Sequence, residues 1–211
     1  MDVGFVLSAL EALYPEARAE LHFSNPFETL IATILSAQCT DKRVNIVTEK
    51  LFQDYPDAFA MAKLTPEQLE PLIKTCGLYH TKAKNIASAC RALVEEYDGQ
   101  VPATREQLMK LPGVGQKTAG VVLLAAFGDD QIPVDTHVFR VANRIGLVSE
   151  PTPEKTERAL KEVLPRERWS HAHHLLIWHG RRCCAARSPA CERCPLTGVC
   201  MYYAALDNTT E

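Results

Sequence analysis

A lysine beside a glycine hairpin is the residue of this 211-residue chain best equipped for chemistry. The segment Leu111-Pro112-Gly113-Val114-Gly115-Gln116-Lys117 puts two glycines between helical patterns and opens the second pattern near the lysine; Asp135 follows eighteen residues later. Glycine lets a backbone come close to a ligand, and the N–H groups at a helix start lack partners within the helix, so the segment suits an anion such as phosphate. An amine held beside a gripped phosphate points to chemistry on the adjoining sugar. Taken singly, each residue has a simpler account, Lys117 as a phosphate-binding cation and Asp135 as a helix N-cap.

A second group is Cys183, Cys184, Cys191, Cys194 and Cys200. The N-terminus starts acidic and lacks the cationic entry of a signal peptide, and the longest apolar stretch, Val121 to Phe127, is far short of the ~20 residues of a membrane span. A cytoplasmic protein with no membrane partner is expected. In that compartment thiols this dense favour a metal site over disulfides, and an all-sulfur shell suits zinc or an iron–sulfur cluster. Spacing does not decide between the two metals, and adjacent Cys183 and Cys184 leave one thiol surplus. Cys39, Cys76 and Cys90 lie scattered in helical patterns, where small buried thiols need no function.

The elements that must position these groups read as helix throughout. Asn25-Pro26-Phe27-Glu28 sets a capping residue before a proline at the first helical position, and Thr65-Pro66-Glu67-Gln68 and Thr104-Arg105-Glu106-Gln107 carry the capping-box pattern. Val134, Val138, Val141, Ala142 and Ile145 recur at helical spacing and predict one apolar face. No run of alternating strands, linker or internal repeat is visible, so the spacing predicts an all-α chain of about ten helices with a polar, frayed segment over 201–211. The net charge of −3 is unevenly spread: residues 1–100 carry 9 Lys+Arg against 14 Asp+Glu, and residues 133–200 carry 11 against 7. The later segment therefore has the local cationic density that phosphate contacts require.

Together these residues resemble endonuclease III, of the helix-hairpin-helix DNA glycosylase superfamily, over nearly the whole chain. The resemblance is carried by Asn25-Pro26-Phe27-Glu28, Leu35-Ser36-Ala37-Gln38-Cys39-Thr40-Asp41, Ile73-Lys74-Thr75-Cys76-Gly77-Leu78-Tyr79, the hairpin through Ala119, Val134-Asp135-Thr136-His137, and His179-Gly180-Arg181 before the cysteine loop. It implies two helical domains with a DNA cleft between them: a six-helix barrel over 22–132 bearing the hairpin, and a discontinuous domain over 1–21 and 133–211. It further implies a [4Fe-4S] cluster held by Cys184, Cys191, Cys194 and Cys200. Gln116 departs from the commonest bacterial pattern, which has a basic residue there. Gly120 also departs, inside the lysine's helix, at roughly 1 kcal/mol relative to alanine.

The chemistry implied is base excision followed by strand cleavage. Lys117 would attack the deoxyribose anomeric carbon and form a Schiff base, and β-elimination would break the strand 3′ to the abasic site. Asp135 would stabilise positive charge developing on the sugar and relay protons. The target nucleotide must leave the stack, so Gln38 and Leu78 would enter the duplex, while the backbone around Gly113, Val114 and Gly115 holds a phosphate. For Leu78 a core role is the alternative, and for His137 a structural histidine is the alternative to supporting the site; His171, His173 and His174 read as surface or packing residues. The partner expected is double-stranded DNA with oxidised pyrimidines or abasic sites, met by a monomer at the bacterial nucleoid. Two rivals stand beside this reading: a monofunctional adenine/mismatch glycosylase of the same superfamily, which lacks the hairpin lysine, and a noncatalytic metal-stapled DNA-binding module.

Overall fold

In the computed structural model, which describes residues 1–207, all regular structure is helical, with no strand among those residues. In chain order the helices are α1 (Val3–Leu13), α2 (Pro26–Ser36), α3 (Asp41–Asp54), α4 (Ala58–Met61), α5 (Pro66–Ile73), α6 (Tyr79–Tyr97), α7 (Arg105–Leu108) and α8 (Gln116–Phe127). There follow α9 (Thr136–Ile145), α10 (Pro153–Val163), α11 (Trp169–Arg182) and α12 (Met201–Asp207), with short 3₁₀ turns at Lys74–Cys76, Arg166–Arg168 and Cys191–Arg193. None is long and apolar enough to cross a membrane. The chain divides into two compact units, Ala19–Asp129 and Met1–Arg18 with Asp130–Glu211; each junction falls three residues before the boundary implied by the resemblance.

The unit Ala19–Asp129 is built round α2, whose Phe27, Leu30, Ile31, Ile34 and Leu35 are all buried. A helix apolar on nearly every side needs partners on every side, and α3, α6 and α8 pack against it. Its start is fixed as expected, with the Asn25 side chain accepting from Glu28 N–H at 2.9 Å. The Glu28 carboxylate, however, reaches one residue further back and accepts from both the N–H and the hydroxyl of Ser24. Thr65 and Gln68 form the full reciprocal box. At Thr104 the Gln107 side chain instead accepts the threonine hydroxyl, at 2.9 Å.

In the other unit, α9 packs on α10, α11 and α12, and α1 packs on α11. The apolar face read from spacing is buried at all five positions, Val134, Val138, Val141, Ala142 and Ile145, against Val6, Leu7 and Leu10 of α1 and Leu175 and Leu176 of α11. Two expectations need correction. The described helices number twelve and not about ten, because α4 and α7 are single turns held by the caps Asp57 and Thr104, too short to show a period. Nor is 201–207 frayed: α12 packs on α9, with Met201 against Gly146 (φ +93), where any side chain would collide with it, and Tyr202 under the Arg144 guanidinium at 4.3 Å. The rest of the expected frayed segment, 208–211, lies outside the described residues.

His173 is buried, its Nδ1 2.9 Å from the Pro133 carbonyl oxygen. Burial, with a smaller push from His171, pulls neighbouring His174 down to about 4. Unfolding restores its ordinary value of 6.5, so between these values the unfolded chain binds a proton that the native one refuses. The stability tied to His174 is therefore complete above about pH 6.5 and is lost as pH falls toward about 4. Urea melts across this window should show a flatter stability–pH curve for His174→Gln than for the natural chain, by at most on the order of 3 kcal/mol.

Candidate active site and cysteine loop

Within the unit Ala19–Asp129, Lys117 is the second residue of α8 and is exposed. The helix begins after Gly115, with no side chain capping its first-turn N–H groups. The two hairpin glycines serve different needs. Gly113 has φ +81, and a Cβ there would lie 2.9 Å from the Asn85 side chain on α6, so the turn demands glycine twice over. Gly115 has extended backbone and nothing within 4 Å of where a Cβ would sit, which leaves an open approach to the helix start. Leu111 and Val114 are buried and anchor the hairpin, with Val114 N–H donating to the Leu111 carbonyl at 3.1 Å. Gln116 does not leave the hairpin short of a cation, because Arg105 of α7 donates through Nη1 to its side-chain and backbone oxygens at 3.0 and 3.3 Å.

Gln38 and Leu78, forty residues apart in sequence, come together in this unit. Both are exposed and both adopt left-handed backbone, φ 52 and φ 49, at about 1–2 kcal/mol for each non-glycine residue. Between them lies Gly77 (φ +61), where an added Cβ would be 3.9 Å from the Gln38 carbonyl oxygen. A core role for Leu78 is ruled out, since 56% of it is exposed. Exposed residues held in strained backbone are typical of functional sites. The same neighbourhood contains a residue not singled out from the sequence. Lys82 is only 4% exposed, and its Nζ donates to the carbonyls of Leu35 at 2.8 Å and Cys76 at 2.6 Å. Its signal was there to read, since it stands one turn before Ile86 on the apolar face of α6.

In the other unit, Asp135 is the N-cap of α9, its Oδ1 accepting from His137 and Val138 N–H, both at 2.8 Å. The simpler account of Asp135 is thus correct as local structure, and the cap also fixes the carboxylate's orientation. His137 is half-buried, and its Nδ1 lies 3.1 Å from Arg140 Nη2. Burial lowers the pKa of His137; Asp135 opposes this, while Arg140 and Arg181 add to it. Gly180 on α11 makes room for the pair, since a Cβ there would lie 2.9 Å from His137 Cβ and 3.2 Å from Arg140 Nη2.

Arg140 and Arg144 of α9 also hold the cysteine loop. Arg140 donates to the Gly180 and Cys184 carbonyls at 2.9 and 3.1 Å, and Arg144 to the Ala185 and Ala186 carbonyls at 2.7 and 2.8 Å. Cys183, Cys184, Cys191, Cys194 and Cys200 line one recess. Soft donors converging on one space fit a metal cluster. The Sγ atoms of Cys183 and Cys194 and a ring nitrogen of His179 lie within 4.8 Å of one another. Cys183 nonetheless donates its thiol to the Ala190 carbonyl at 3.4 Å, while Cys184 Sγ faces Arg144 Nη1 at 3.6 Å. Behind the loop, His179 is bracketed by the Tyr14 hydroxyl at 3.2 Å and Cys194 Sγ at 3.6 Å. Burial takes His179 down to about 4 and Tyr14 up to about 12.

Residues 31–166 match the HhH-GPD superfamily of base excision DNA repair proteins, and residues 184–200 match the iron–sulfur binding domain of endonuclease III. Endonuclease III of Synechocystis sp. is 48% identical over 92% of this chain and 90% of its own. That of Escherichia coli (strain K12) is 46% identical over 96% of each. The solved structure of a trapped endonuclease III–DNA covalent intermediate superimposes with a TM-score of 0.93 at 44% identity, over 97% of each chain.

Two backbone carbonyls of the cysteine loop depend on Arg144 alone among the side-chain donors named above. Arg144→Gln should therefore release iron to a chelator several-fold faster than the natural chain, followed by the loss of visible absorbance, with helix content unchanged.

Proposed function

The chain belongs to the endonuclease III family of base-excision DNA repair proteins, and we propose that it removes oxidised pyrimidines from duplex DNA and cuts the strand through Lys117. It is a bifunctional DNA glycosylase and AP lyase whose cofactor is a [4Fe-4S] cluster. The observation that carries the Lys117 assignment is an exposed amine in the first turn of an uncapped helix, beside a glycine with open space before it.

In the proposed sequence the N–H groups around Gly113, Val114 and Gly115 hold a phosphate without reading bases. Gln38 and Leu78 fill the space that the extruded nucleotide leaves. Lys117 Nζ then bonds to C1′ as the bond from C1′ to the base breaks, and the base departs with a proton. Transfer of the second amine proton to O4′, as the C1′–O4′ bond breaks and the sugar ring opens, gives an imine at C1′. Removal of a C2′ proton breaks the C3′–O3′ bond, and water releases the enzyme. Asp135 carries protons between these steps and stabilises the cationic sugar, with its carboxylate held in orientation by the cap on α9. His137 supports that end of α9 through Arg140 and takes no proton in this scheme.

Cys184, Cys191, Cys194 and Cys200 would hold the cluster. The family match that starts at residue 184 and the turn of the Cys183 thiol toward Ala190 support that choice. Bound there, the cluster supplies a covalent staple for a loop that keeps Arg144 and its neighbours in place. The proposed partner is DNA bearing damaged bases or abasic sites, bound by a monomer, and the two compact units are the proposed barrel and cluster domains.

Borohydride trapping on abasic duplex DNA tests the reading. The natural chain should give a covalent adduct, and Lys117→Gln should lower its yield by roughly 10³-fold or more while keeping iron and duplex binding. An undiminished adduct would move the nucleophile elsewhere.

A further inference from the structure

We propose that Lys82 is a positioning residue for nucleotide extrusion: its buried ammonium ties together the two chain reversals that present Gln38 and Leu78. This rests on the proposed entry of those two residues into the duplex.

The carbonyls that Lys82 binds are not arbitrary. Leu35 lies in the last turn of α2, and Cys76 ends the 3₁₀ turn Lys74–Cys76, so each offers an oxygen that its own helix cannot satisfy. A cation is favoured at the negative end of a helix, and here one ammonium serves two such ends. Three residues after Leu35, and directly after Cys76, the chain swings into left-handed backbone, at Gln38 (φ 52) on one side and at Gly77 (φ 61) and Leu78 (φ 49) on the other. Leu78 is also the N-cap residue of α6, and its carbonyl accepts from the Lys82 backbone N–H at 3.0 Å. Lys82 thus grips the Leu78 turn through its main chain and the Gln38 turn through its side chain. A Cβ added at Gly77 would lie 3.9 Å from the Gln38 carbonyl oxygen, which shows how closely the two reversals are set.

A charge this buried is costly unless hydrogen-bonded, and methionine would fill the same space without it. What Lys82 adds to packing is a fixed spacing between two exposed, strained residues. Fixing that spacing before DNA arrives reduces the ordering that insertion must otherwise bring about.

The test uses the full chain with its iron. Lys82→Met and Lys82→Arg are compared with Gln38→Ala and Leu78→Ala by borohydride trapping on one abasic oligonucleotide, presented as a duplex and as a single strand. The duplex carries 2-aminopurine opposite the abasic site, whose fluorescence reports unstacking independently of bond chemistry. Lys82→Met should lower duplex trapping about tenfold or more and abolish the fluorescence rise, with single-strand trapping within about twofold of the natural chain. Lys82→Arg, which keeps a cation and its donors, should recover part of both signals. Equal losses on duplex and single strand, or no loss on duplex, would overturn the role of Lys82 provided that Gln38→Ala and Leu78→Ala lower the duplex signal selectively. Should those two leave it unchanged, the entry of Gln38 and Leu78 is itself wrong, and the role of Lys82 goes with it. If neither Lys82 variant folds with the natural helix content, Lys82 belongs to the core and the inference is overturned.

Discussion

A peptide N–H at the start of a helix, or a carbonyl at its end, must find its partner outside that helix, and the residues proposed for the chemistry of this chain stand where those demands arise. α8 starts with no side-chain cap beside the open approach at Gly115, and Lys117 stands in its first turn. α9 is capped by Asp135, so the carboxylate proposed for proton transfer is held by two amides. The ends of α2 and of the turn before α6 are answered by Lys82. Reactive groups on helix ends inherit the rigidity of the helix while keeping an open side, which suits residues that must hold position and still meet a ligand.

Local demands of this kind were legible in the sequence, and remote ones were not. The hairpin could be read because its residue types and backbone demands fall within seven residues, although the contact that denies Gly113 a side chain comes from Asn85, 28 residues away. The caps at Asn25, Thr65 and Asp135 were legible for the same reason, although the Glu28 carboxylate settled on Ser24 and not on the capping residue. The cysteine cluster announced itself by density, yet the groups that hold its loop, Arg140 and Arg144, lie about forty residues away and had appeared only as part of a charge count. Lys82 escaped notice because a lysine is normally read as surface, and its Leu35 partner is 47 residues distant. Resemblance supplied what spacing could not: the proposed roles of Gln38 and Leu78 and the proposed choice of Cys184 over Cys183.

Cations perform two kinds of work in this molecule. Arg140, Arg144 and Lys82 spend their donors on backbone carbonyls, and so act as internal crosslinks. The surplus positive charge of residues 133–200 is therefore only partly available to phosphate, since two of its arginines are committed to the cysteine loop. A negative whole-chain charge is compatible with a DNA partner on these terms, because Arg181, Arg182, Arg187 and Arg193 are exposed on the same stretch of sequence, even with Arg193 donating to the Arg182 carbonyl and Arg182 lying over the Trp178 ring.

The discontinuous unit also dictates an order of assembly. Tyr14 meets His179 across 165 residues, and Arg18 accepts from Trp178 across 160, so the apolar face of α1 has no permanent cover until α11 has been made. At ribosomal speeds of roughly 5–20 residues per second, that interval is on the order of ten seconds or more. The unit Ala19–Asp129 is complete in sequence well before then and can close while α1 waits. α1 thus leaves the ribosome long before the helix that buries it.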